Sequence, residues 1–375
     1  MYCSVMRSLS FFIERNLFRD TTLSRNTNSV KYINLGSPPG YRQTTSHIYV
    51  PDNHMLRSIL DAKKIGSDRN LPYVAQGTER ERIMRARKLS QTVLLTGSTG
   101  IGKSLLAESI AQELGYPYIE LICNQVMTPA KILGASVLSP IPVDISGSVQ
   151  TLQLMTFMPK GIGLAALAGS ADIPVVLFID ELHKMWSGAD TVLHPLAAQH
   201  RVNLEEILGE TYQLHPDSLV IFALNPYYGL GIDEVGTALR ARFKTIMLDP
   251  ITAETMLMKI VVANIPEAGE ASGEIKNQIQ TIIRVTTKLA KIWQNVQQDT
   301  DDNDTSLSTI GTAIRKSEVS GGMVETPCPR AVVECVRSII DGESFEDAIR
   351  DHLVNTVVRN FGIPARALMH VYETF

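Results

Sequence analysis

The 375-residue chain is 44% hydrophobic and 20% charged, which is enough for more than one packed domain and excludes a disordered or low-complexity protein. A formal net charge of −4 gives no broad basic surface for nucleic acid or anionic lipid. No apolar run approaches the roughly 18 residues of a membrane span, and Cys3, Cys123, Cys328 and Cys335 form neither a Cys-x-x-Cys pair nor a zinc-ligand spacing with histidine. The expected setting is therefore reducing and cytoplasmic, with unpaired thiols.

Residues 1–20 mix Arg7, Arg15 and Arg19 with apolar side chains. Glu14, Asp20 and the lack of an apolar core with a cleavage site argue against a targeting segment. A docking or poorly ordered N-terminus is the expectation, and Ser37-Pro38-Pro39-Gly40 closes it with a loop signal. Helical patterns follow over 55–64 and 78–89. The second carries Arg80, Arg82, Arg85, Arg87 and Lys88, balanced by Glu79 and Glu81, and reads as a solvated helix face.

From Gln91 short apolar runs alternate with helical stretches: 92–96 (TVLLT), 118–122 (YIELI), 175–179 (VVLFI), 219–224 (LVIFAL) and 245–248 (TIML). Runs this short and this apolar suit strands buried on both faces of a parallel sheet. The expected fold is α/β, a parallel sheet sandwiched by helices. After Pro250 the pattern turns helical over 252–264, 273–297, 328–341 and 343–358, a small all-α domain. The polar stretch 299–322 lacks the central Gly and closing Glu of a calcium loop and reads as a mobile loop. The chain divides into an extension (1–70), an α/β core (71–250) and an all-α lid (251–375).

Gly97-Ser98-Thr99-Gly100-Ile101-Gly102-Lys103-Ser104 fits G-x-x-x-x-G-K-[ST], after a strand and at the start of a helix. Glycines let backbone N–H groups approach phosphates, and the helix N-terminus adds partial positive charge. In this motif Lys103 neutralises the β- and γ-phosphates and the Ser104 hydroxyl ligates Mg²⁺, so the expected ligands are ATP and Mg²⁺. The strand at 175–179 ends in Asp180-Glu181. Asp180 at the sheet's carboxyl edge can hold Mg²⁺, and Glu181 can act as general base on the attacking water. The strand at 219–224 ends in Asn225-Pro226, where Asn225 could orient that water and is otherwise a turn former. Arg240 and Arg242 precede Phe243. In a ring one of them reaches a neighbour's γ-phosphate, Arg242 being favoured and Arg240 second. Arg330 opens a helix in the all-α domain, where it could reach back to the nucleotide.

These landmarks, in this order, resemble the AAA+ superfamily: Walker A at 97–104, Walker B at 175–181, sensor 1 at Asn225, a finger at Arg242 and sensor 2 at Arg330. The finer pattern resembles the MoxR/CbbQ/NorQ group, related to the dynein-type modules. Residues 72–77 (PYVAQG), around Val74, stand where that group packs on adenine. Residues 123–134 (CNQVMTPAKILG) and 157–161 (FMPKG) are similar to its connecting segments, and 201–214 to its hairpin before sensor 1. The excess near 137–160 is similar to an insertion carried by the group and should project from the ring. His183 and Lys184 depart from it, where Asn and Arg are more usual.

The resemblance implies a homo-oligomeric ring, most often a hexamer, that acts on a protein client, often a metalloenzyme, beside a partner bearing a von Willebrand A domain. Two other readings stand beside this activator role: a nucleic-acid motor of restriction or translocase type, disfavoured by the acidic balance, and a nucleotide-dependent switch with little turnover, disfavoured by Glu181 and Arg242.

Overall fold

The computed structural model describes residues 37–145, 148–185, 190–225, 237–298 and 327–355, with Met369 and Tyr372. The expected polar loop at 299–322 and the first 36 residues lie outside the described residues.

In chain order the main elements are β1 (Tyr41–Gln43), β2 (Tyr49–Pro51), α1 (Asn53–Asp61), α2 (Glu79–Lys88), β3 (Thr92–Thr96), α3 (Lys103–Leu114), β4 (Tyr118–Ile122), β5 (Gly134–Ile145) and β6 (Ser148–Pro159). Then come α4 (Gly161–Ser170), β7 (Val176–Asp180), α5 (Asp190–Gln199), β8 (Arg201–Leu204), β9 (Glu210–Gln213), β10 (Leu219–Leu224) and β11 (Phe243–Met247). The chain continues through α6 (Glu254–Asn264), α7 (Gly273–Gln298) and α8 (Pro329–Ile340).

Five strands form one parallel sheet in the order β11-β3-β10-β7-β4. Each run read as a buried strand lies in it. Every residue of β3 and β10 is buried, which is why these strands carry no polar alternation. Side chains still alternate between faces. Val93, Leu95, Phe178, Ile221 and Ala223 join a core with Leu106 and Ile110 of α3. Leu94, Leu177, Ile179, Val220 and Phe222 join a second core with α4 and α5. Helix α4 (GIGLAALAGS) is apolar on all sides because seven of its residues are buried.

The all-α segment shares the first of these cores: Leu257 and Val261 of α6, Ile282 of α7, and Val332 and Val336 of α8 belong to it. Where the sequence reads one helix over 343–358, the chain makes a short turn at Phe345–Ala348 and a wider π-type turn at Ile349–Val354. Residues 356–358 lie outside the described residues.

The excess before the acidic strand is a long antiparallel hairpin. β5 and β6 pair in continuous register from Gly134↔Pro159 to Ile145↔Ser148. Part of the N-terminal extension joins it, for β1 and β2 pair antiparallel and β2 meets β6 at Tyr49↔Thr156, giving the order β1-β2-β6-β5. Pro140 and Pro142 lie on β5, the edge strand, where a missing N–H is tolerated. The segment read as a hairpin over 201–214 has β8 and β9 paired antiparallel, with a one-turn helix at Glu205–Leu208 between them and Gly209 in the left-handed region at φ +71°.

Candidate nucleotide site

The loop at 97–102 leaves the carboxyl end of β3 and enters α3 directly, so backbone N–H groups and a helix N-terminus face the same space. The Lys103 ammonium folds back over this loop, donating to the carbonyls of Gly97 (2.7 Å) and Ser98 (2.9 Å). A charge held by neutral carbonyls beside the loop can move to a phosphate anion with little reorganisation.

β7 lies two strands from β3, separated by β10, and delivers Asp180 to the same edge. The Ser104 hydroxyl donates to Asp180 Oδ2 at 3.4 Å, and the Glu181 N–H to Asp180 Oδ1 at 2.7 Å. A hydroxyl and a carboxylate converging in this way are the hard oxygen donors that suit Mg²⁺. Glu181 has a left-handed backbone, φ +54°, and its Oε1 lies 2.7 Å from the Lys184 ammonium. Asn225 ends the central strand β10, is buried, and donates from Nδ2 to the Thr99 hydroxyl at 2.6 Å.

These groups surround one cavity of about 190 Å³, whose lining includes Lys103, Ser104, Asp180, Glu181, Asn225 and Arg330. Arg330 comes from the first turn of α8, so the lid supplies one wall. Gly100 forms the contact: a Cβ there would lie 2.5 Å from Cys328 Sγ and 3.2 Å from Arg330 Cβ. A second cavity of about 230 Å³ shares Gly100, Gly102, Leu105 and Arg330 with the first. Its apolar walls are Tyr73, Val74, Ile101, Ile260 and Val333. An apolar slot continuous with a phosphate loop fits a nucleobase.

The Asp180 and Glu181 carboxylates also act on groups behind the cavity. Burial, then Asp180 and Glu181, push the Cys123 thiol up to about 12. Burial, then Asp180 and Glu108, raise the Glu120 carboxyl. Burial and then the Lys184 charge lower His183 below the ordinary histidine value, so it is neutral at pH 7.

The expected site residues thus separate into three places. Thr99, Gly100, Gly102, Lys103, Ser104, Asp180, Glu181, Asn225 and Arg330 meet in the phosphate cavity. Val74 and Ile101 line the base-sized one, and Gly97 and Ser98 hold Lys103. Arg240 and Arg242 line neither cavity. Arg242 is exposed, and its guanidinium bonds to the Ala238 carbonyl of its own turn. The sequence alone does not single out several lining residues, among them Tyr73, Leu105, His183 and Lys184. Tyr73 packs against the loop. His183 and Lys184 line the phosphate cavity, though they were noted only as departures from a pattern.

Residues 92–243 match the model of the AAA domain, dynein-related subfamily. The chain is similar to Protein CbbQ of Hydrogenophilus thermoluteolus, 29% identical over 56% of this chain and 72% of that one. It is also similar to the denitrification regulatory protein NirQ of Pseudomonas aeruginosa (26%, over 47% of this chain and 62% of that one). Protein NorQ of Paracoccus denitrificans is 25% identical over 47% of this chain and 59% of that one. The matches to NirQ and NorQ span less than two thirds of those proteins. Over residues 92–243 the chain matches an AAA domain of the dynein-related subfamily, the domain of an ATPase, and it resembles CbbQ, NirQ and NorQ.

Proposed function

We propose that this ATPase works as a homo-oligomeric ring, a hexamer by analogy, that remodels or activates a protein client. Lys103 takes the β- and γ-phosphates. Ser104 and Asp180 hold Mg²⁺, which supplies charge neutralisation on the phosphates when bound. Glu181 polarises the attacking water, Asn225 orients it, and Arg330 senses the nucleotide from the lid. Arg242, or Arg240 in its place, completes the site of a neighbouring subunit. The observation that carries the ring reading is the separation of these two arginines from a cavity that already gathers the other polar groups.

The hairpin β5–β6 and the β8–β9 unit are the proposed client contacts. Leu138 (54% exposed) and Val149 (72% exposed) on that hairpin are apolar side chains facing water, which a bound client would cover. The client class proposed by analogy with the relatives is an enzyme, a metalloenzyme among the candidates, with a von Willebrand A protein as adaptor. Cys123, Cys328 and Cys335 are free thiols, and a reducing cytoplasm is the proposed setting. No helix among the described residues is long and apolar enough to cross a membrane.

The test is client capture. Glu181→Gln should hold ATP without turnover and retain its client, identified by mass spectrometry against a Lys103→Ala control. An enzyme subunit or a von Willebrand A protein enriched with the first variant supports the reading. Nucleic acid or a nuclease subunit enriched in its place overturns it in favour of a nucleic-acid motor.

A further inference from the structure

The hairpin β5–β6 and the β8–β9 unit belong to separate sheets, the first in the order β1-β2-β6-β5 and the second a two-stranded sheet of its own. Both stand on α4. Its Gly163 packs on the Leu133 carbonyl at the foot of β5, and its Gly169 on the Gln213 carbonyl at the end of β9, each so closely that a Cβ would collide. A second connection between the two elements runs through the β1–β2 ribbon.

The ribbon is closed by a tight turn. The buried Thr44 hydroxyl donates to the Ile48 carbonyl at 3.0 Å and accepts from the Ile48 N–H at 3.2 Å. On one side β2 pairs with β6 at Tyr49↔Thr156. On the other side the turn grips β8–β9 by three groups. The Thr45 hydroxyl is shared between the carbonyls of Leu208 (3.3 Å) and Gly209 (3.1 Å), and the Thr45 N–H donates to Glu210 Oε1 at 3.2 Å. The Arg42 guanidinium donates to Glu210 Oε2 at 3.4 Å and to the Tyr212 hydroxyl at 3.0 Å. Ile48 and Val50 belong to the same core as Phe157 of β6 and Leu208 and Tyr212 of the β8–β9 unit. Burial alone would raise the Glu210 carboxyl, but the Tyr212 hydroxyl, the Thr45 N–H and Arg42 hold it below the ordinary 4.5, so the grip favours the charged form.

The route to the nucleotide site favours one direction of travel. The β8–β9 unit lies in the chain between α5, which follows Asp180 and Glu181, and β10, which ends beside Asn225. We propose that residues 41–51 are a coupling strap: they carry nucleotide-dependent movement from the β8–β9 unit to the β5–β6 hairpin, so that the two swing as one body. This rests on the nucleotide-site assignment and on the reading of these two elements as client contacts, and it gives the N-terminal extension a task in that reading. The strap holds β6 near its foot, so a small shift there moves the far end of a twelve-residue hairpin strand by more.

The test is amide hydrogen exchange on the full chain, without nucleotide and with ATP. Every chain carries Glu181→Gln, so that ATP persists. With the strap intact, ATP should change exchange over both 134–159 and 201–213. Arg42→Ala with Thr45→Ala should speed exchange over 41–51 by about tenfold, the scale of one hydrogen bond to a charged group. The ATP response should persist over 201–213 and shrink at least about threefold over 134–159. Arg42→Lys with Thr45→Ser should restore it. ATP affinity should not change, because residues 41–51 line neither nucleotide cavity.

A full ATP response over 134–159 with the strap cut would overturn the inference. So would faster exchange there by one common factor with and without ATP, which is what a merely stabilising ribbon gives. Loss of the response from both elements together, or its absence from 134–159 in the chain with the strap intact, would overturn it as well. Failure of the ring and client reading is distinguishable, because exchange is read on the chain itself with no client present. A protein that stays monomeric by mass while its two elements respond together would sink the ring and leave the strap.

Discussion

Gly100→Ala tests whether the lid closes directly on the phosphate loop. Gly100 has φ +74°, and a Cβ built there lies 2.5 Å from Cys328 Sγ. Two separate costs follow. The left-handed backbone costs an alanine about 1–2 kcal/mol whether or not the lid is docked. The contact falls roughly 1 Å short of an ordinary van der Waals separation, and such overpacking costs about 1–3 kcal/mol, but only in the docked arrangement. The base-sized cavity is lined by the loop (Gly100, Ile101) and the lid (Pro329, Arg330, Val333) together, and the proposed nucleotide site includes it. Nucleotide affinity should therefore weaken by about 10- to 100-fold, from the docked-state cost alone, with 1.4 kcal/mol per factor of ten. The two costs separate in a double variant. Cys328→Ala removes the sulfur, so adding it to Gly100→Ala should recover about tenfold in affinity while changing the wild type little. The assay is titration with a fluorescent nucleotide, with thermal unfolding as the folding control. Wild-type affinity in Gly100→Ala, or no recovery from Cys328→Ala, would refute a lid packed on this loop.

Three further outcomes are expected. Arg242→Ala should keep ATP affinity and lose at least about 10² in turnover, read by steady-state hydrolysis beside a binding titration. If turnover holds, Arg240→Ala should show the loss instead. Gly209→Val places a β-branched side chain at φ +71°, with Ser46 Oγ and Thr45 Oγ1 each 2.6 Å from the new Cβ. It should lower Tm by about 5 °C or more and speed amide exchange over residues 41–51, and an unchanged Tm would remove the contact between that turn and β9. Glu79 is 5% exposed. Burial alone would raise its carboxyl, but hydrogen bonds from the Tyr73 hydroxyl and from backbone N–H groups, including Gln76, outweigh this and hold it below the ordinary 4.5. A depressed carboxyl contributes stability that is complete above the unfolded value and lost as pH falls through the folded one. Urea unfolding of Glu79→Gln should therefore show lower stability at pH 7 and a shallower loss below about pH 4.5 than the wild type.

Most of the sheet and the phosphate loop were legible in the sequence because their signals are local. Short apolar runs are what strands buried on two faces must look like, as β3, β7 and β10 are, while the edge strands β4 and β11 keep exposed residues that the expectation of burial on both faces missed; Gly97–Ser104 is one contiguous motif between a strand and a helix. The N-terminal ribbon was not legible. β1 and β2 have three residues each, too few for periodicity, and they exist through pairing with β6 and a grip on β9. In that grip Arg42 reaches Glu210 (3.4 Å) and the Tyr212 hydroxyl (3.0 Å), partners more than 160 positions away. Pro140 and Pro142 are poor residues for a paired strand, and the strand order places them on the edge strand β5, where they are tolerated. In the same way, His183 and Lys184 looked like deviations from a pattern until β7 brought them to the cavity. These residues join the site through tertiary packing, which spacing along one chain does not encode.

We propose an ATPase whose site is completed by a second copy of the same chain. The most direct test measures mass and hydrolysis together across protein concentration with Mg-ATP present. The account predicts ATP-dependent assembly into a closed oligomer, with turnover per subunit rising steeply as it forms. Small amounts of the Arg242→Ala chain should then poison the activity of wild-type rings. A monomer that hydrolyses ATP at full rate per subunit, unaffected by dilution or by the variant, would contradict it.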